Sequence, residues 1–150
     1  HIVRTVTTNA AVTAVVAAGD SSKVAVGSED GSVSLFDPAT KGEPELLLEH
    51  DTGVCSLAWL CKPLHADGPR AWLHEGLGDA WLACGLGDGS ITINGQTTAD
   101  GAKPYGPKVR VLRGHGAGAH ALLWQQERGW LISGSGDNTV RVWRVRADTK

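Results

Sequence analysis

Apolar residues along this chain come in short alternating runs, each broken by Gly, Asp or Asn. The runs "AVTAVV" (11–16), "KVAVGS" (23–28), "SVSLF" (32–36), "VCSLAWL" (54–60), "AWLACG" (80–85), "KVRVL" (108–112) and "TVRVW" (139–143) place apolar side chains near every second position. That period marks a half-buried strand, and the β-branched residues frequent in it favour the same assignment. No window holds a helical period beyond about two turns. The expectation is an all-β chain.

The pattern also repeats. "VGSEDGSVSLFD" (26–37), "CGLGDGSITING" (84–95) and "SGSGDNTVRVWR" (133–144) align without gaps. Each reads as strand, Asp-Gly or Asp-Asn, strand, and those dipeptides suit a tight hairpin because Gly, Asn and Asp tolerate positive φ. A further alternating strand precedes each hairpin, at 11–18, 53–60 and 118–125, and another precedes that one, at 2–7, 45–49 and 108–113. The unit is four strands, present three times. In the middle copy it is lengthened by 61–79 and 96–107, which are rich in Gly and Pro and read as loops.

Composition narrows the classes. A chain of 150 residues forms one core. A formal charge of −2, with acidic and basic residues interspersed, argues against a nucleic-acid footprint. No apolar run approaches the roughly 20 residues of a membrane-spanning helix, and residues 1–10 alternate where a signal peptide would hold an apolar block. Three cysteines, Cys55, Cys61 and Cys84, make no disulfide framework, so a reducing, intracellular setting is expected, in the cytoplasm or alternatively the nucleus. The sequence holds no methionine, which implies a processed or excised chain, or part of a longer protein.

On these motifs the chain resembles the WD-repeat β-propellers. The stretch "RGHGAGAHALLWQQERGWLISGSGDNTVRVWR" (113–144) is similar to a family repeat over its whole length. It carries a Gly114–His115 pair, Ser133 on a strand, Asp137 in the turn four residues later, and Trp143 six residues after that. The other copies are degenerate. In the first, Asp30 holds the turn, Phe36 stands at the Trp position, Val26 at the Ser position and Asn9 near the His position. In the second, His50 and Asp88 remain, while Cys84 and Asn94 replace Ser and Trp.

The resemblance implies four-stranded antiparallel blades of an incomplete propeller: blade one at about 11–49, blade two at about 53–113, blade three at about 118–145, and an outer strand of another blade at 2–7. Three blades are too few to close a ring, so the others lie elsewhere in a parent protein or in another chain. It also implies that Trp143, Ser133, His115 and Asp137 form a structural hydrogen-bond chain, and that the protein is a non-catalytic protein-interaction scaffold without cofactor. Its partners would be proteins and further blades.

Ser133, His115 and Asp137 raise a competing hydrolase reading, but Ser133 lies mid-strand in "LISGSG" and not on a nucleophile elbow. Cys61, His65, His74, Glu75 and Asp79 share one insertion, yet their spacing fits no common zinc pattern, so no metal is expected. Arg110, Arg113, Arg141, Arg144 and Arg146 keep a nucleic-acid or phosphoinositide surface as another alternative. For a protein partner the candidates are Trp72 and Leu73 in the first insertion and Tyr105 in the second, because aromatic residues dominate interface hot spots.

Overall fold

Alternation of apolar and polar positions gives each strand of this chain two faces, and stacking sheet on sheet covers both faces of the middle sheet and one face of each outer sheet. The computed structural model describes residues 1–2, 4–17, 23–61, 80–95 and 108–145. It contains β1 (Val12–Ala17), β2 (Val24–Ser28), β3 (Ser32–Phe36), β4 (Glu45–Glu49), β5 (Val54–Cys61), β6 (Ala80–Leu86), β7 (Ile91–Gly95), β8 (Lys108–Leu112), β9 (Ala119–Gln125), β10 (Trp130–Ser135) and β11 (Val140–Arg144). All pairings are antiparallel. They make a first sheet β1-β2-β3-β4, a second β5-β6-β7-β8 and a third β9-β10-β11. No helix occurs among the described residues.

The central hairpins follow from their turn residues. Gly31 and Gly89 sit at φ 89° and 84°, and Asn138 at 65° in the equivalent place. Glycine pays no Cβ penalty there, and Asn is among the side chains that tolerate this region best. The first strands share an irregularity as well: the ladder skips Thr13 in β1, Cys55 in β5 and His120 in β9. Bulges bend and twist a strand, so the same curvature recurs in each sheet.

The sheets pack through their first strands, β5 on β1 and β2, and β9 on β5 and β6. Between the first and second sheets lie Ala25, Val33, Leu35 and Leu47 from one side and Leu57, Trp59, Leu82 and Cys84 from the other. Between the second and third lie Ala58, Ala83, Ile91 and Ile93 against Ala119, Leu131 and Val145. Each sheet thus has a leading face toward the sheet before it and a trailing face toward the sheet after it. Hydroxyls cross both gaps: Thr13 donates to the Val54 carbonyl, and Ser56 to the Ala119 carbonyl at 2.6 Å.

Segment 2–7, expected as the outer strand of another blade, joins no ladder among its described residues. A strand needs a partner edge, and the first sheet's outer edge is already closed by β4 pairing with β3. Ile2, Arg4, Val6 and Thr8 instead lie over the leading face of the first sheet. Arg4 donates to the carbonyls of Asp37 (3.2 Å), Thr40 and Gly42 (2.5 Å), and its guanidinium lies 6.0 Å from the Phe36 ring centre. A cleft of about 540 Å³ remains, with Ile2, Arg4 and Val6 on one wall and Val12, Val15 and Val26 on the other.

Two equivalent glycines set the sheet spacing. A Cβ on Gly27 would stand 2.5 Å from Val54 Cγ1, and one on Gly85 would stand 2.5 Å from the Ala119 carbonyl oxygen. Backbone at Ala119 cannot yield as a side chain can, so Gly85→Ala should destabilise by about 1–3 kcal/mol through overpacking. The same change at Gly134, where the new Cβ would meet Ala121 Cβ at 3.6 Å, should be neutral. Urea unfolding of the two variants side by side checks this.

Candidate functional site

The turn between β10 and β11 and the loop before β9 bring His115, Ser133, Asp137 and Trp143 into one connected group. Trp143 Nε1 donates to Ser133 Oγ at 2.8 Å, Ser133 Oγ lies 2.7 Å from His115 Nε2, and His115 Nδ1 lies 3.0 Å from Asp137 Oδ2. Asp137 also accepts from the backbone N–H groups of Gly116 and Thr139, both at 2.9 Å, and from the Thr139 hydroxyl at 2.6 Å. These donors, the Thr139 hydroxyl foremost, hold its carboxyl well below the usual carboxylate range. An ionised Asp137 accepts only, so it takes the proton on His115 Nδ1. That leaves Nε2 as the acceptor for the Ser133 hydroxyl, whose oxygen in turn accepts from Trp143.

Burial completes the picture. Ser133 is 1% exposed and His115 8%. The imidazole meets the Trp143 ring edge-on at 6.1 Å. The Ser133 hydroxyl has spent its proton and taken a donor, and it faces the second sheet rather than a pocket.

The degenerate positions differ from this and from each other. In the second sheet Asn94 is fully buried and its amide donates to the Leu82 carbonyl (3.3 Å) and Thr92 Oγ1 (3.2 Å), with Cys84 Sγ at 3.8 Å. Burial pushes the Cys84 thiol up to about 12. In the first sheet the same places hold Val26 and Phe36, which require no partner. His50 follows β4, its N–H bonded to the Gly31 carbonyl at 3.0 Å. Asn9 lies in the irregular segment before β1.

All three turn aspartates share a feature the motif alone did not reveal. A hydroxyl two residues on donates to each carboxylate at 2.6 Å: Ser32 to Asp30, Ser90 to Asp88, Thr139 to Asp137. The backbone N–H of the same residue adds a second bond. All three carboxyls are held below their ordinary value, mainly by these donors, with Arg113 assisting at Asp88. The signal was legible as Asp-Gly-Ser, Asp-Gly-Ser and Asp-Asn-Thr at matching places.

The arginines do not make one stripe. By register Arg110 and Arg141 belong to the two walls between the second and third sheets, while Arg144 lies on the opposite face of the third. Arg146 lies outside the described residues, as do Trp72, Leu73 and Tyr105 and the remaining zinc candidates His65, His74, Glu75 and Asp79. Among the described residues no group of His, Cys, Asp and Glu is arranged to hold a metal ion.

Repeated four-stranded antiparallel sheets stacked face to face, one of them stapled by a buried Trp–Ser–His–Asp chain, define a β-propeller repeat protein. The chain belongs to the WD40 family: the model "WD domain, G-beta repeat" matches residues 1–37 and 106–144, just over half of its length. It is similar in structure to a chain in the crystal structure of the mitotic checkpoint complex, with a TM-score of 0.64 and 23% identity over 91% of this chain and 35% of that one. It is also similar to the WD40 β-propeller domain of Doa1, with a TM-score of 0.62 and 26% identity over 91% of this chain and 38% of that one. The chain therefore spans little more than a third of either.

Two outcomes follow from the network. Ser133→Ala should cost about 1–3 kcal/mol, because it orphans buried groups on Trp143 and His115; denaturant unfolding measures it. The aspartates set a pH dependence. Their folded pKa values lie below the unfolded ones, so their stabilisation is complete above the unfolded carboxylate value of about 3.9 and is lost as pH falls toward the folded values. The melting temperature should hold from neutrality to about pH 5 and then drop. Asp137→Asn should lower it at pH 7 and flatten the acid decline.

Proposed function

We propose that this chain is a non-catalytic protein-interaction scaffold, acting as part of a larger WD-repeat propeller protein or a multi-subunit assembly. One observation carries the reading: the residues most suggestive of catalysis are consumed in a buried, internally satisfied network. A serine nucleophile needs an accessible oxygen, a base free to take its proton and donors for an oxyanion. Ser133 Oγ is buried and already accepts from Trp143, and the His115–Asp137 pair holds the loop before β9 to the β10–β11 turn. Membership of the WD40 family supports the scaffold reading, since such propellers typically bind proteins. A solved relative comes from a multi-protein complex.

The partner surface proposed is the end of the second sheet from which both insertions leave. Cys61 pairs with Ala80, Trp81 with Gly95, and Asn94 with Lys108. The chain therefore departs toward 62–79 and 96–107 from neighbouring strand ends. Loops of this length in compact domains are commonly functional, and Trp72, Leu73 and Tyr105 are the side chains in them suited to anchor a partner.

Two measurements test this. A fluorophosphonate probe should leave Ser133 unlabelled, and ester turnover abolished by Ser133→Ala at unchanged stability would replace the scaffold reading with the hydrolase. Trp72→Ala combined with Tyr105→Ala should sharply reduce partner recovery in a pull-down while leaving the melting temperature unchanged. Full recovery with the double variant would remove these loops from the interface.

A further inference from the structure

The chain holds three asparagines, Asn9, Asn94 and Asn138, and only Asn94 is followed by glycine. Asn-Gly is the pair most prone to deamidate. The glycine backbone nitrogen attacks the side-chain carbonyl carbon of the asparagine, a new C–N bond closes a five-membered succinimide, and ammonia leaves. Water then opens the ring at either carbonyl and yields aspartate or isoaspartate. Glycine favours the first step because no Cβ shields its nitrogen and its backbone turns freely. Water is the one co-reactant. The equivalent positions of the other sheets hold Phe36 and Trp143, which lack this chemistry.

The fold opposes each requirement of ring closure at Asn94. Closure forces the asparagine main chain out of the extended range, yet Asn94 lies within β7, paired with Leu82 on one side and Lys108 on the other. Its amide nitrogen, the leaving group, is tied to the Leu82 carbonyl and to Thr92 Oγ1. Its Oδ1 is buried and receives no hydrogen bond among the described residues. Charge developing on that oxygen during attack therefore meets no donor to stabilise it. Asn94 is 0% exposed and Gly95 is buried beside it, which keeps water away.

The product does not fit the place the amide occupies. The Leu82 carbonyl and Thr92 Oγ1 accept from the Asn94 amide, and Cys84 Sγ lies at 3.8 Å. A carboxylate there would set an anion against groups arranged around a donor, in a site where an unpaired charge is costly. Isoaspartate also adds a methylene to the main chain and throws the Trp81–Gly95 pair out of register. We propose that Asn94–Gly95 is a deamidation site gated by folding: closed in the native second sheet, reactive in the unfolded chain, and a one-way exit because the deamidated chain cannot rebuild the sheet. Modification of the unfolded state is a known route to irreversible unfolding, and here it is directed to one residue.

The experiment holds the protein in mildly alkaline buffer with a thiol reductant, with and without guanidinium chloride, and follows the peptide carrying Asn94 by mass spectrometry. Deamidation should be at least about tenfold slower without denaturant, because only opened molecules react. Denaturant is then removed at successive times and the folded fraction is isolated by gel filtration. Chains deamidated at Asn94 should be missing from it, and recovery should fall in step with their accumulation. Gly95→Ala, which slows ring closure, should keep recovery high after the same exposure. Should Gly95→Ala not fold at all, the distribution of deamidated wild-type chains between folded and unfolded fractions decides alone. The inference is overturned by a native rate equal to that in denaturant, by deamidated chains returning to the folded fraction in proportion to intact ones, or by a folding-competent Gly95→Ala that is recovered no better than wild type.

Discussion

The close approach of each sheet's first strand to the second strand of the sheet before it is the constraint on which the rest of this structure depends. It is possible only because Gly27 and Gly85 lack a Cβ. At that spacing hydroxyls on the first strands reach carbonyls across the gap, as Thr13 and Ser56 do. The same closeness presses the loop before each first strand against the preceding turn. A Cβ on Gly89 would lie 2.7 Å from the His115 carbonyl oxygen, and the His50 carbonyl crowds Gly31 in the same way. His115 thereby belongs to two sheets at once. Its main chain rests on the turn of the second sheet, and its side chain is bonded to Asp137 and Ser133 of the third. The buried network is as much a joint between neighbours as a staple within one blade.

Much of this was legible in the residues. Alternation located the strands, and the spacing of Asp-Gly and Asp-Asn located the hairpins, because strand period and turn conformation are local properties of the chain. The four-residue network was legible only through the resemblance of 113–144 to a family repeat; the hairpin register then shows why Ser133 and Trp143 share a face. Pairing beyond the hairpin was less accessible. Segment 2–7 has the alternation of a strand yet joins no ladder among its described residues, and alternation states only that one face is apolar. Asn94 in place of Trp read as decay, whereas the structure shows its amide placed against Leu82, Thr92 and Cys84. An amide carries its own donors, but their partners depend on packing that no local pattern records.

The three copies differ in an ordered way. The aspartate and the hydroxyl two residues later occur in every turn, because that bond is made within the turn and needs nothing from elsewhere. The Ser, His and Trp positions behave otherwise. Each of those side chains satisfies a buried group on another, so removing one leaves its partners with an uncompensated desolvation cost of about 1–3 kcal/mol. Losing a single member of such a network is therefore costly. The first sheet replaces the Ser and Trp positions with Val26 and Phe36, which need no hydrogen bonds. The second replaces them with Cys84 and Asn94, with Thr92 close enough for its hydroxyl to take the Asn94 amide. Only the third retains the full set.

That distribution bears on what the chain is built to do. A catalytic group would be organised around an open position where a reacting atom could sit. Here each polar atom of the Trp143–Ser133–His115–Asp137 chain is directed at another member or at the backbone of its own turn. In the second sheet, where Ser and Trp are replaced, Cys84 and Asn94 are fully buried. Rigid stacking of this sort holds the strand ends at either side in constant relative positions, and the insertions of the second sheet leave from such ends. Under the scaffold reading proposed above, such a frame would lower the ordering cost a partner must overcome on binding.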